Sequence, residues 1–153
     1  MAVTETAAVE TTEETQAQQK ILVLATITCA YPGADTVGQS HTDYPSNVYV
    51  LRVPAPSLFP DDFYLDCYDK GIGGIIVMAC GHECPYEKSF DILTARIDRL
   101  YGKMKDRGLD PRRLRLTAIC TVCSAAFLRE VNSMNNLITE LGPTRLPKKE
   151  EAA

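Results

Sequence analysis

The chain has no surplus of positive charge. Its 153 residues carry 16 Lys and Arg against 20 Asp and Glu, a formal net charge of −4. No basic stripe is available to neutralise phosphates, which argues against a nucleic-acid partner. There is no run of 18 or more apolar residues, so no membrane span is expected. The first residues, MAVTETAAVE, lack the basic start and apolar block of a secretory signal. The chain is therefore expected in the cytoplasm. No P-loop and no G-x-S-x-G elbow occurs. The stretch GIGG at Gly71–Gly74 precedes an apolar run instead of following one. That is the wrong end for cradling a dinucleotide phosphate.

Cysteine, by contrast, is plentiful, with six residues. Thiols stay reduced in a cytoplasmic chain, so six of them point to metal or redox chemistry more than to disulfide staples. A hydrophobic fraction of 45% is enough for a core, and the length suits one domain. Residues 1–19 are rich in Thr, Glu, Ala and Gln and hold no aromatic residue, so they are expected to be a disordered acidic tail. Residues 148–153 form a second short charged tail, which leaves 20–147 for a single α/β domain.

Within that domain apolar runs alternate with helical periodicity. The spacing predicts a first strand over Ile21–Ile27, then a loop with Pro32 and Gly33 and at most a short helical turn. A second strand, Val48–Val53, is closed by Pro54 and Pro56. A helix from about Pro60 to Lys70 stops at Gly71. The third strand is Gly74–Ala79. The next helix starts near Pro85, where a proline suits the first turn. Its apolar face is Phe90, Leu93, Ile97, Leu100 and Met104, and Gly108 ends it. The fourth strand is Leu114–Ile119. The last helix starts near Ser124 as N-cap. It presents Phe127, Val131, Met134, Ile138 and Leu141 before the stop signal Gly142-Pro143.

Such alternation predicts an α/β fold with a four-stranded parallel open sheet and helices on both faces. Strands one and three are nearly continuous apolar runs, as buried strands are. Strands two and four carry Arg52 and Arg115 in mid-strand, which suits edges. Right-handed crossovers then favour the order 2-1-3-4.

Five of the six cysteines sit just past predicted strand ends: Cys29, the pair Cys80 and Cys84, and the pair Cys120 and Cys123. In an open parallel sheet the carboxyl ends of the strands share one edge, where sites form. Thiolates are soft ligands that suit zinc, copper(I) and iron–sulfur clusters, and a cluster usually takes four. Cys84 and Cys123 precede helix starts, whose positive dipole ends favour thiolates. Cys67, in the middle of the second helix, reads as packing. His82 and His41 read as solvated loop residues. Tyr31 and Tyr86, each two residues after a candidate cysteine, either shield the site or pack in loops. Asp61 and Asp62 complement a helix dipole in a first turn.

The blocks ILVL, TCAYPGAD (28–35), YPSNVYVLRVP (44–54), the G-x-x-x-M-A-C run ending at Cys80 with Cys84 and Tyr86, RLRL (113–116) and ELGP (140–143) carry a resemblance. Over about residues 20–147 the chain resembles the delta subunit of methyl-viologen-reducing hydrogenase, the iron–sulfur subunit family associated with heterodisulfide reductase. The resemblance implies a [2Fe–2S] cluster. It also implies electron relay between a hydrogenase or formate dehydrogenase module and a flavin-bearing, heterodisulfide-reductase-A-like subunit. The family's first loop reads C-x-x-C, where this chain has Thr26 and Cys29. Its V-P-C after strand two is Val53-Pro54-Ala55 here. Cys80 and Cys84 match, and Cys120 and Cys123 are additional.

The leading expectation is a non-catalytic electron-transfer subunit whose cluster ligands are drawn from Cys29, Cys80, Cys84, Cys120 and Cys123. Neighbouring parallel strands lie about 4.8 Å apart, so Cys120 and Cys29 start about 10 Å apart and loops must close the distance. A cluster-less adaptor that docks a flavin subunit is the second reading, supported by Thr26 and Ala55. A [4Fe–4S] cluster, a redox-silent zinc site, and a thiol–disulfide site at Cys120-Thr-Val-Cys123 are further alternatives.

Overall fold

Apolar side chains alternate across the two central strands, and that alternation builds the layers. The computed structural model describes residues 18–81 and 88–144. The elements in chain order are β1 (Lys20–Thr26), α1 (Ala30–Gln39), β2 (Val48–Val53), α2 (Asp61–Asp69), β3 (Ile72–Ala79), α3 (Ser89–Asp106), β4 (Leu114–Ala118) and α4 (Ser124–Leu141). Short 3-10 turns at Pro56–Leu58 and Pro111–Arg113 lead into α2 and β4.

All strand pairs are parallel and the order is β2-β1-β3-β4, as the pattern predicts. Side chains alternate across a strand, so each central strand feeds two cores. Leu24, Ile75, Val77 and Ala79 face α2 and α3, meeting Tyr64, Tyr68, Leu93, Ile97, Leu100 and Met104. Ile21, Val23, Ala25, Ile76 and Met78 face α1 and α4, meeting Val37, Phe127, Val131, Met134 and Ile138. Each large side chain so buried contributes about 1.5–3 kcal/mol. Arg52 and Arg115 lie on β2 and β4, the two edges.

The chain after β1 departs from expectation. It forms a ten-residue helix, α1, where a loop with a short turn was expected. Pro32 is its third residue, and the first amides of a helix have no internal partner, so the missing N–H costs nothing there. Cys123, not Ser124, is the N-cap of α4, and it makes no side-chain cap bond. The described part of α3 begins at Ser89, after Lys88 at φ 58°. Pro85, the predicted start, lies outside the described residues. Gly73 and Gly74 belong to β3 itself. A Cβ on Gly74 would stand 2.7 Å from Met134 Sδ, so the glycine lets α4 lie close on the sheet.

At the amino edge of the sheet, buried Arg113 donates to the carbonyl oxygens of Gly73 (3.0 Å) and Gly142 (2.6 Å) and to Gln19 Oε1 (3.2 Å). Gln19, assigned to the tail from sequence, is anchored further by its own Nε2 donating to Ile138 O at 2.8 Å. Residues 1–17 and 145–153 lie outside the described residues. At the carboxyl edge the strands end level, with Thr26 opposite Val53 and Ala79 opposite Ala118. Among the described residues no helix is long and apolar enough to cross a membrane.

Candidate functional site

Level strand ends place the following residues on one rim. Cys29 lies three residues past Thr26, Ala55 two past Val53, Cys80 one past Ala79 and Cys120 two past Ala118. Cys29 is the N-cap of α1 and is buried; Cys80 and Cys123 are half-buried; Cys120 is exposed. A cavity of about 360 Å³ opens between them, lined by Thr28, Cys29, Cys80, Ala118, Ile119, Cys120 and Thr121. No charged side chain lines it among the described residues, so the reactive groups it offers are sulfurs and hydroxyls.

The distance that loops had to close between Cys29 and Cys120 is bridged by α1. Its residue Gly33 packs on the Cys120–Cys123 turn, where an added Cβ would meet Cys120 O and the Cys123 carbonyl at 3.8 Å. That turn is closed by the Cys123 N–H donating to Cys120 O at 3.2 Å. Gly81 has φ +67°, and an added Cβ there would stand 3.3 Å from Ala118 Cβ.

Where free thiols were expected, the structure holds two disulfides, Cys29–Cys80 and Cys120–Cys123. Their Cα separations of 5.6 and 5.4 Å fall inside the range that a disulfide spans. Cys84 and His82 lie outside the described residues. Cys67 is the free cysteine among the described residues; it packs against the α2–α3 core, and burial raises its thiol pKa.

Two threonines reach the sulfurs. Thr26 Oγ1 lies 2.9 Å from Cys29 Sγ and donates to Met78 O at 3.2 Å. Thr28 Oγ1 lies 3.4 Å from Cys80 Sγ. Sequence reasoning noted Thr26 only as a missing thiol and passed over Thr28. The signal available was their i, i+2 spacing in Thr26-Ile27-Thr28-Cys29, at the end of a strand. Tyr31 does not line this cavity; its ring sits under the Arg52 guanidinium, 5.4 Å from centroid, and borders another depression with Ala34 and Tyr44. His41 is exposed, as expected.

With both disulfides closed, no group of three or more His, Cys, Asp or Glu that could hold a metal ion exists among the described residues. Opening them would free four sulfur donors, of which those of Cys29, Cys80 and Cys120 line one cavity. Four thiolates are the usual complement of an iron–sulfur cluster, so the donor chemistry fits such a group in the reduced protein.

The residue pattern of one protein family, described as methyl-viologen-reducing hydrogenase, delta subunit, matches residues 21–142. The chain is 33% identical over 127 residues to the A subunit of the ferredoxin/F420H2-dependent CoB-CoM heterodisulfide reductase of Methanosarcina acetivorans. It is 32% identical over 117 residues to the A subunit of the ferredoxin:CoB-CoM heterodisulfide reductase of Methanosarcina mazei. These matches take in 82% and 75% of this chain but only 16% and 15% of those much longer proteins. It is 26% identical over 132 residues to the iron–sulfur D subunit of the F420-non-reducing hydrogenase of Archaeoglobus profundus, a match that takes in 86% of this chain and 96% of that protein.

Proposed function

We propose a function from this premise: the chain belongs to the methyl-viologen-reducing hydrogenase delta-subunit family. It is an electron-transfer subunit of an oxidoreductase complex, without a substrate of its own. It passes electrons between a hydrogenase- or formate-dehydrogenase-type module and a flavin-bearing subunit of the heterodisulfide-reductase-A kind. The names of its relatives support this placement, since the same domain recurs as an iron–sulfur subunit of hydrogenase and as a segment of the heterodisulfide reductase A subunit.

The observation that carries the proposal is the meeting of Cys29, Cys80 and Cys120 on one cavity at the carboxyl edge of the sheet. Cys29, Cys80, Cys120 and Cys123, with Cys84 as a further candidate, would hold a [2Fe–2S] cluster in the reduced protein. Such a cluster supplies one-electron transfer. The chain's own contribution is to place the sulfurs and to set the Thr28 hydroxyl 3.4 Å from Cys80 Sγ, at a cavity that no charged side chain lines among the described residues. Hydrogen bonds to sulfur and exposure to solvent tune such centres. Ile27, Leu58 and Val122, exposed by 41%, 73% and 85%, lie in the loops that follow β1, β2 and β4. A partner protein that covers these exposed apolar side chains would shorten the electron path.

The test is iron and acid-labile sulfide analysis, with an absorption spectrum, on the full chain purified anaerobically. About two iron and two sulfide per chain are expected. Zinc would give neither colour nor sulfide. Colourless, iron-free protein after reconstitution would favour the cluster-less adaptor, a reading that Thr26 and Ala55 support. Unchanged iron in Cys120→Ser and Cys123→Ser would refute the use of the two additional cysteines.

A further inference from the structure

We propose that the carboxyl-edge cavity is also a dithiol–disulfide exchange site, in which Cys120–Cys123 is reduced by a small dithiol and Cys29–Cys80 is a second, deeper disulfide of the same cavity. This activity moves electrons in pairs and needs no metal; it uses the same sulfurs as the relay reading and therefore describes the metal-free protein.

Three observations carry it. First, the pairs differ in access, and access governs which sulfur is attacked. Cys120 is exposed, whereas Cys29 is only 7% exposed. Second, neither bond is needed to hold its two ends together. The Cys120–Cys123 turn keeps its backbone hydrogen bond and its seat against Gly33. The ends of β1 and β3 stay paired through the ladder from Ile21–Gly74 to Ala25–Met78. Third, the interior already has a place for the reduced form. Thr26 Oγ1 donates to Met78 O at 3.2 Å and also lies 2.9 Å from Cys29 Sγ, so a thiol formed at Cys29 has a hydroxyl oxygen to which it can donate. Thr28 Oγ1 lies 3.4 Å from Cys80 Sγ and can accept from a thiol there or donate to it.

The exchange balances as follows. A thiolate of the dithiol attacks Cys120 Sγ; the bond to Cys123 Sγ breaks, and Cys123 leaves with the electron pair and takes up a proton. The second thiol of the reagent then attacks its own bridged sulfur and releases Cys120, which is protonated in turn. The reagent departs as a cyclic disulfide, and the protein has gained two electrons and two protons. Repetition at the Cys80 side of the deeper bond yields Cys29 and Cys80 thiols.

Chelator-treated, metal-free full chain would be poised in mixtures of reduced and oxidised dithiothreitol. Thiols would be counted by alkylation and located by mass mapping. The expected result is a gain of four thiols in two steps, Cys120 with Cys123 first and Cys29 with Cys80 second. In Cys120→Ser/Cys123→Ser the first step is lost and the second remains, while Cys67→Ser leaves both. All four cysteines alkylating before any reductant is added would overturn the proposal. So would disulfides mapping to other partners, such as Cys84. The mapping on unaltered protein decides the matter even if the double variant fails to fold. Because iron is absent throughout, failure here is separate from failure of the relay reading.

Discussion

Thr26 and Cys29 are joined side chain to side chain across the turn between β1 and α1, with Oγ1 and Sγ 2.9 Å apart and both residues buried. Thr26→Val keeps the shape and removes the hydroxyl. In reductant it is expected to lower stability by about 1 kcal/mol, because the buried Cys29 thiol loses its acceptor. In oxidised protein, where Cys29 has no proton to give, the loss is smaller. Urea midpoints with and without reductant check this, and equal losses in both states would contradict it.

Gly33 faces the Cys120–Cys123 turn with room for one methyl group. A Cβ there makes ordinary contacts at 3.8 Å. Gly33→Ala is therefore expected to be neutral or to stabilise by up to about 1 kcal/mol, through the helix preference of alanine. Gly33→Leu must push the turn aside and is expected to cost about 1–3 kcal/mol. Thermal unfolding of the pair reads the contrast.

Gly74, by contrast, sets how closely α4 can approach β3. An added methyl would stand 2.7 Å from Met134 Sδ and 3.1 Å from Ile138 Cγ2. Methionine can bend away, but the β-branched isoleucine is stiff. Gly74→Ala is expected to cost about 1–3 kcal/mol, or about 2–4 °C in melting temperature for each kcal/mol at this chain length. A melting temperature equal to the parent's would contradict it.

Asp61, in the first turn of α2, accepts a hydrogen bond from Lys103 Nζ at 2.8 Å and lies near Arg96 and Arg99. The Lys103 bond lowers its pKa most; burial opposes this, and the neighbouring positive charges add to the lowering. A lowered carboxyl pKa stabilises the fold above the ordinary aspartate value of about 4, and that stabilisation is lost as pH falls through the lowered value. Lys103 is half exposed, so the pair is worth no more than about 1 kcal/mol. Asp61→Asn should be less stable than the parent at pH 7, with the gap closing below about pH 4. Urea titrations at pH 7 and pH 3 show this directly, and a gap of constant size would rule it out.

Order and pairing of the strands followed from local pattern. Runs such as ILVLA and IIVMA are buried on both faces and so central, while Arg52 and Arg115 mark edges. The same reasoning put five cysteines past strand ends, and the structure brings those at 29, 80 and 120 to one cavity. It stopped short at α1, because proline and glycine read as loop signals until Pro32 is seen to occupy a first turn.

Periodicities a few residues long settle the layers, the strand order and the edge on which the thiols lie, and all of these can be read from the chain before it folds. Which sulfur faces which is set by folding. Cys29 meets Cys80 across 51 residues of chain, and the Cys120–Cys123 turn meets Gly33 across the top of the sheet. Folding likewise sets the Thr26 hydroxyl between Met78 and Cys29. Contacts of that kind depend on ångström-scale distances between strands and helices that come together only in the folded protein, and no local pattern of residue types encodes them.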